Sequence, residues 1–208
     1  MSDSENQIAL AREDLCRYLA ACYYQPEREF EKEGVFVTIV NAATLIHPAL
    51  MPLATALEKE FNAGNGDSLL LDYTRLFIGP NHTLAQPYGS VWLEGEKTLM
   101  GPTTQAVLGL YREGGFDMDD SFRELPDHIA VELEFLYLLI FRQNEARREG
   151  NMEHLEAITA LKKQFLGEHL ERWIGPFTAA IQAGAQQPFY RHLAELTALF
   201  VAMESRIE

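Results

Sequence analysis

Apolar residues recur three and four positions apart along most of this 208-residue chain, a spacing that places them on one face of an α-helix. Between residues 67 and 77, for example, Leu69, Tyr73, Leu76 and Phe77 follow this pattern. The alternating runs rich in Val, Ile and Thr that are typical of β-strands are absent. The sequence therefore predicts an all-α fold, a bundle of about eight to ten helices that forms a single domain over residues 1–208.

The predicted helices are bounded by residues that interrupt helical structure. Three of them end at a proline or glycine, at Pro26, Pro48 and Gly64. We expect helices at 5–24, 29–46, 50–62, 67–77, 102–114, 126–148, 151–170, 171–184 and 188–206.

The segment from Ile78 to Pro102 breaks the helical pattern. Seven glycines and prolines lie within these 25 positions, and such a density of turn residues indicates a long connection between helices. Connections of this length inside compact domains are usually functional or disordered. Tyr88, Val91 and Trp92 favour order, because a disordered linker seldom contains bulky apolar side chains. We expect one long ordered loop rich in proline, glycine and aromatic residues.

Acidic residues outnumber basic ones, with 31 Asp and Glu against 17 Lys and Arg and a formal net charge of −14. A surface this acidic repels phosphate backbones, which argues against nucleic acid as a partner. It suits a basic partner, such as a peptide rich in Arg or Lys. Acidic proteins without a basic partner are also common, so the charge alone leaves the partner open.

Three features of the sequence bear on the compartment. The N-terminal residues M-S-D-S-E-N-Q lack the charged and then apolar pattern of a signal peptide. No stretch approaches the roughly 18 consecutive apolar residues of a membrane-spanning helix, so no integral membrane segment is expected. Cys16 and Cys22 lie on different sides of one predicted helix, which disfavours a disulfide between them. We therefore expect a cytoplasmic protein with reduced thiols.

The stretch E-L-P-D-H-I-A-V-E, from Glu124 to Glu132, is open to two interpretations. As a helix start, Pro126 suits the first helical position, and Asp127 at the cap or in the first turn complements the helix dipole. As a chemical site, Asp127, His128 and Glu132 would serve a metal-dependent enzyme. His128 and Glu132 share a helix face but supply at most two metal ligands, and no second Cys or His cluster completes the set. The metal-dependent enzyme remains an alternative.

A binding surface is the other prediction for this region. Pro87, Tyr88 and Trp92 of the loop suit a peptide-binding platform, because large rigid side chains bury area at low entropic cost. Residues 112–127 contain six acidic and two basic residues, an excess that would hold a basic peptide. Leu76 and Phe77 are expected in the core. A generic helical interaction module, in which neither the loop nor the Asp-His pair is special, is a further alternative.

Three blocks of residues occur in an order that resembles one known family. They are Y-T-R-L-F-I-G-P at 73–80, P-Y-G-S-V-W-L at 87–93 followed by L-M-G at 99–101, and E-x-x-D-H at 124–128. Together they are similar to the motifs of the TorD/DmsD family of cytoplasmic redox-enzyme maturation chaperones, which bind twin-arginine signal peptides. The similarity spans residues 15–200, nearly the whole chain.

The resemblance implies a chaperone rather than an enzyme. Its implied partner is a molybdoenzyme precursor of the DMSO or TMAO reductase type, bound through the twin-arginine signal peptide while the cofactor is inserted and the precursor folds before export. No stably bound cofactor is implied, because the molybdenum cofactor belongs to the client. The peptide-binding positions carried over from the family are Tyr73, Leu76, Phe77, Gly79, Pro80, Pro87, Tyr88, Ser90, Trp92, Gly101, Pro126, Asp127 and His128.

Physical reasoning adds candidate roles for a few of these residues. A carboxylate is a good acceptor for a guanidinium group, so Asp127 can receive an arginine and Glu124 can share that task. His128 can orient Asp127, contact the peptide backbone, or only tie the loop after Trp92 to the helix. Long loops between helices also permit domain exchange, so the sequence is compatible with a monomer and with a domain-swapped dimer.

Overall fold

The computed structural model describes residues 3–26, 29–79, 83–94, 100–117 and 124–207. Within these ranges the chain is helical and forms no strand, which confirms the predicted all-α fold. The first seven helices are α1 (Asp3–Cys22), α2 (Glu29–Lys32), α3 (Val35–Ile46), α4 (Met51–Ala63), α5 (Gly66–Tyr73), α6 (Gly89–Glu94) and α7 (Pro102–Glu113). The next four are α8 (Ile129–Glu149), α9 (Met152–Phe165), α10 (Glu171–Gly184) and α11 (Pro188–Glu204). Two π-helical turns lie at Thr74–Ile78, directly after α5, and at Leu166–Leu170, between α9 and α10.

The helix bounds differ from the sequence prediction at the two π-helical turns and in three further places. The predicted helix at 29–46 is divided into α2 and α3 by Gly34, whose φ of 66° lies in the left-handed region that glycine adopts at little cost. The predicted loop contains the six-residue helix α6. The predicted helix at 126–148 begins later, at Ile129, because the residues before it form a turn.

The helices form a ring of neighbours around one core. Helix α1 contacts α8 on one side and α3 on the other, α3 contacts α4, and α4 contacts α11. Helix α11 contacts α10, and α9 contacts α8. Because α9 and α10 are joined through a π-helical turn, these contacts close the ring. Buried apolar side chains from most of these helices form one continuous cluster, while α6 contacts α7 and α10.

Aromatic rings fill the core where α1, the first π-helical turn, α10 and α11 meet. The ring centroid of Phe77 lies 6.2 Å from that of Tyr23 and 5.8 Å from that of Tyr190. The Phe177 centroid lies 5.7 Å from Tyr23 and 6.3 Å from Trp92 of α6. Helix α6 therefore rests on the same aromatic group that holds Phe77, so the first two sequence blocks share one core.

The structure also bears on the membrane and cysteine expectations. None of the helices in the described ranges has both the length and the apolar character needed to cross a membrane. Cys16 and Cys22 are free thiols buried in the interior. Burial raises the pKa of Cys22 to about 12, so this thiol stays protonated at neutral pH.

A buried ion triad joins the two ends of the described chain. The Glu204 carboxylate on α11 accepts hydrogen bonds from Arg12 Nε of α1 at 2.6 Å and from Lys162 Nζ of α9 at 2.9 Å. All three residues are buried. Burial alone raises the pKa of Glu204, but the hydrogen bonds and charges of Arg12 and Lys162 outweigh it and hold the pKa below its ordinary value. The triad therefore links three helices that are distant in sequence.

Replacing Glu204 with Gln should destabilise the fold, because it leaves Arg12 and Lys162 buried without their counter-charge. We expect the free energy of unfolding, measured with urea at pH 7, to fall by about 3 kcal/mol.

The pKa of Glu204 is lowered in the folded protein, so its stabilising effect is present above its unfolded pKa and is lost as the pH falls through its folded pKa. The difference between wild type and variant should therefore shrink in acid. Glu195→Gln, at an exposed position on the same helix, is the matched control and should change little; equal losses in both variants would contradict the role of the triad.

Candidate functional site

The second and third sequence blocks meet at the start of α8. Residues 83–94, which we call the strap, reach this point, and Tyr88 and His128 form an isolated antiparallel bridge. The Ile129 amide donates to the Pro87 carbonyl at 2.8 Å, and the Gly89 amide donates to the Asp127 carbonyl at 2.8 Å. The fold thus places P-Y-G-S-V-W-L directly against the E-x-x-D-H turn.

Asp127 is fully buried and caps a different helix from the one expected. Its Oδ2 atom accepts a hydrogen bond from the Ser90 amide at 2.9 Å, in the first turn of α6. The cap of α8 is His128, whose Nδ1 atom accepts from the Ala130 amide at 3.2 Å. The prediction that Pro126 and Asp127 open this helix is wrong, because both lie in the preceding turn.

The His128 imidazole lies between two tyrosine rings. It stacks on Tyr24 with 6.0 Å between ring centroids and meets Tyr88 edge-on at 5.4 Å. Burial lowers the pKa of His128 to about 4, so the ring is neutral at pH 7. Its Nε2 atom lies 4.0 Å from Glu124 Oε2. At neutral pH, His128 therefore acts here as a helix cap and an aromatic contact.

Two carboxylates remain at the surface of this region. The Tyr88 hydroxyl donates to Glu124 Oε2 at 3.3 Å, and the Glu124 side chain is 37% exposed. The Tyr24 hydroxyl donates to Glu134 Oε1 at 2.9 Å. Burial and the Glu124 charge raise the pKa of Tyr88 to about 12, so its hydroxyl stays protonated and able to donate. We call Tyr24, Tyr88, Glu124 and Glu134 the acidic rim.

A buried carboxylate, Glu132, lies beneath the strap. Its Oε1 atom is 2.7 Å from His169 Nε2, and its Oε2 atom accepts from Trp173 Nε1 at 3.0 Å. Burial raises the pKa of Glu132, an effect that His169 and Trp173 oppose. Burial lowers the pKa of His169, but the Glu132 charge and hydrogen bond outweigh it and raise the pKa above its ordinary value.

This arrangement contradicts the alternative of a metal site at Asp127, His128 and Glu132. Each side chain is directed to a different partner: the Ser90 amide, the Ala130 amide and the His169–Trp173 pair. Among the residues that the structure describes, no group of three His, Cys, Asp or Glu side chains is arranged to hold a metal ion. His128 and Glu132 were expected on one helix face, but His128 is the cap and has an extended backbone.

Glycines at two motif positions allow close approaches. A Cβ at Gly89 would lie 3.0 Å from Trp173 Nε1 and 3.1 Å from Glu132 Oε1, so a larger residue here would force the strap or these side chains to shift. A Cβ at Gly101 would collide with the Glu94 carboxylate, which accepts a 2.6 Å hydrogen bond from the Thr103 amide at the start of α7. Both glycines therefore create room for a buried or capping carboxylate.

Comparison with known proteins matches residues 42–179 to a family described as the nitrate reductase delta subunit. Over 201 residues the chain is 30% identical to the Tat proofreading chaperone DmsD of Salmonella typhimurium, covering 93% of this chain and 90% of that protein. It is 27% identical over 161 residues to the chaperone protein TorD of Vibrio parahaemolyticus, covering 77% and 74%. The chain belongs to the nitrate reductase delta subunit family. The expected relation to TorD and DmsD is confirmed.

A solved structure supports the same fold. A chain from Archaeoglobus fulgidus described as a redox enzyme maturation protein superposes with a TM-score of 0.57 at 22% identity, over 92% of this chain and 93% of that one. The named relatives within the nitrate reductase delta subunit family are chaperones, which agrees with the prediction that this protein is not an enzyme.

In this family member most of the predicted peptide-binding residues are interior. Those that are buried are Tyr73, Leu76, Phe77, Pro87, Ser90, Pro126, Asp127 and His128. Those that are partly exposed are Gly79, Tyr88, Trp92, Gly101 and Glu124. Pro80 lies outside the described residues. The expectation that Leu76 and Phe77 belong to the core is confirmed, because they are 0% and 6% exposed.

Sequence reasoning missed four residues of this region. Tyr24 and Glu134 form half of the acidic rim, and His169 and Trp173 satisfy Glu132. The H-L-E-R-W stretch after His169 carried a weak signal, since its His and Trp lie one helical turn apart on one face. Nothing in the local sequence connects Tyr24 with Glu134, because 110 positions separate them.

Gly89→Ala tests the close approach of the strap to Glu132 and Trp173. We expect it to lower the free energy of unfolding by about 1–3 kcal/mol, because the added methyl group overfills a rigid, buried contact. Gly109→Ala is the matched control, since a Cβ there meets nothing within 4 Å inside helix α7. That change should stabilise the helix by about 1 kcal/mol. Urea unfolding in which both variants gain stability would refute the tight passage.

Imidazole NMR titration tests the two buried histidines separately. His128, with its pKa of about 4, should show no titration step near the ordinary value of 6.5, whereas the pKa of His169 should lie above that value. Glu132→Gln should lower the pKa of His169 by removing the adjacent charge. Since folded His128 resists protonation, the unfolded state binds more protons in this window, and stability falls as the pH drops below 6.5. A His128 resonance that titrates near its ordinary pKa would show that the ring is solvated.

Proposed function

We propose that this protein is a chaperone that binds the twin-arginine signal peptide of a molybdoenzyme precursor. The similarity to a Tat proofreading chaperone over 93% of the chain supports this class of client. On this proposal the protein acts in the cytoplasm, assists cofactor insertion and folding, and holds the precursor back from export until both are complete. The molybdenum cofactor is carried by the client, as in the DMSO and TMAO reductases.

The observation that carries the proposal is the acidic rim. Within the described residues, neither Glu124 nor Glu134 forms an ion pair with a lysine or arginine. Both accept hydrogen bonds from tyrosines whose rings flank the buried His128. A guanidinium group suits such a place, because it forms charge-assisted hydrogen bonds to carboxylates and stacks on aromatic rings.

We infer that Glu124 makes the first contact with an arginine. Its side chain is 37% exposed, whereas Asp127, three positions along the same turn, is 0% exposed and bonded to Ser90. A peptide that approaches from solvent therefore meets Glu124 before Asp127. The apolar middle of a signal peptide would continue along the partly exposed surface around Trp92.

Calorimetry with a twin-arginine peptide tests this assignment. Glu124→Gln should weaken binding about fivefold, because one partly exposed charge-assisted contact is lost. Glu156→Gln removes the same charge from an exposed position on α9 and should leave the affinity unchanged. Changing both arginines of the peptide to lysine should weaken binding about tenfold, since lysine lacks the planar fork of donors.

The ionic strength provides an independent check. Binding that depends on exposed carboxylates should weaken as salt is raised from low to physiological concentration. If the wild type does not bind the peptide, or binds the arginine and lysine forms equally, the proposed function fails. If it binds but Glu124→Gln and Glu156→Gln behave alike, the class of client stands and the role of Glu124 fails.

A further inference from the structure

We propose that the strap is a gate that conceals Asp127 and opens when the first arginine of a peptide occupies Glu124. The two acids of the E-x-x-D-H turn would then receive two arginines in sequence, Glu124 first and Asp127 second. This inference rests on the proposed function, which supplies the ligand. It goes beyond that function by giving a physical reason why the site would recognise two arginines.

The state of Asp127 is the first observation behind the gate. Its side chain is 0% exposed, and only Oδ2 is bonded, to the Ser90 amide. Its Oδ1 atom and the Ser90 hydroxyl are both buried without a hydrogen-bond partner among the described residues. A buried carboxylate with an unsatisfied oxygen is costly, so the closed strap keeps Asp127 in an incompletely bonded state. An arginine that reached it would supply the missing donors.

The attachment of the strap is the second observation. Four hydrogen bonds join it to residues 124–129: Ser90 amide to Asp127 Oδ2, Gly89 amide to the Asp127 carbonyl, Ile129 amide to the Pro87 carbonyl, and Tyr88 hydroxyl to Glu124. The strap therefore closes on the same short turn that holds both acids. Separating the strap from this turn would break the Asp127 bond to Ser90 along with the other three.

The Tyr88–Glu124 hydrogen bond couples the rim to the gate. At 3.3 Å it is the longest of the four and the one that involves a partly exposed carboxylate. A guanidinium that binds both oxygens of Glu124 competes with the Tyr88 hydroxyl for Oε2 and so removes one of the four hydrogen bonds. Binding energy from the first arginine thus shifts the strap toward its open state, and the affinity is set in part by the fraction of molecules that are open.

Hydrogen exchange and calorimetry on three variants test the gate. Ser90→Pro removes the amide that Asp127 Oδ2 accepts, at a first-turn position of α6 that tolerates proline. Tyr88→Phe removes the hydroxyl that holds Glu124 and keeps the ring. Thr83→Ala is the control, since it removes a strap hydroxyl that donates to the Ile78 carbonyl and not to residues 124–129. The probes are the amides of Gly89 and Ile129, which make the two bridge hydrogen bonds.

We expect exchange at the Gly89 and Ile129 amides to become about tenfold faster in Ser90→Pro and Tyr88→Phe, because each loses a hydrogen bond to a charged acceptor. Both variants should bind the twin-arginine peptide several-fold more tightly, and a peptide with one arginine changed to lysine should gain less. Thr83→Ala should match the wild type in both measurements.

Two results would overturn the gate. If hydrogen exchange at the Gly89 and Ile129 amides is unchanged in both Ser90→Pro and Tyr88→Phe, the strap does not open. Faster exchange together with weaker peptide binding means that the closed strap is itself the binding surface. Failure of the wild type to bind any twin-arginine peptide refutes the proposed function instead, and faster exchange in the variants would still support an opening strap.

Discussion

The Glu132 carboxylate lies fully buried between His169 and Trp173, and the strap crosses directly over it at Gly89. A buried charge is costly unless it is paired and hydrogen-bonded, so both partners are required wherever this glutamate is present. They come from the second π-helical turn and from α10, so one side chain fixes α8 against two other elements. The position at which the strap crosses α8 depends on this contact. The bridge between Tyr88 and His128 depends on it as well.

Carboxylates in the interior and carboxylates of the acidic rim differ in the partners that they bind. Two interior carboxylates elsewhere are engaged at both oxygens: Glu204 holds two cations, and Asp72 binds Arg75 at 2.6 Å while accepting the Gln187 amide at 2.7 Å at the start of α11. The carboxylates of the acidic rim receive only tyrosine hydroxyls from the described residues. In a chain of net charge −14, an excess of acidic residues alone does not identify a binding site. Carboxylates that accept tyrosine hydroxyls and have no lysine or arginine partner among the described residues are better candidates, because a carboxylate beside an aromatic ring suits a guanidinium group.

The sequence predicted the long helices well but the candidate site only in outline. The difference is that helices depend on neighbouring residues, whereas the site depends on contacts between residues far apart in the sequence. Helical periodicity is a local property, so α1, α4 and α11 were placed within a few residues of their ends. Helix α6 was missed, because six residues in a segment rich in glycine and proline are not stable alone. It is held by Asp127 from 37 positions away and by contacts with α10. The same long-range bond explains why the start of α8 was placed too early, since Asp127 looked like the cap of the helix that follows it.

The E-x-x-D-H turn shows why motif spacing alone did not separate structural from binding roles. Its three functional side chains lie within five positions, yet Glu124 faces the surface, Asp127 caps α6 and His128 caps α8. The histidine is neutral at pH 7 and cannot offset the negative charge beside it. The turn therefore keeps two carboxylates close together, one accessible and one concealed, with no lysine or arginine paired to either among the described residues. A carboxylate that only stabilised the fold would be paired at both oxygens, as Glu132 and Glu204 are, whereas the Oδ1 atom of Asp127 is buried without a hydrogen-bond partner among the described residues.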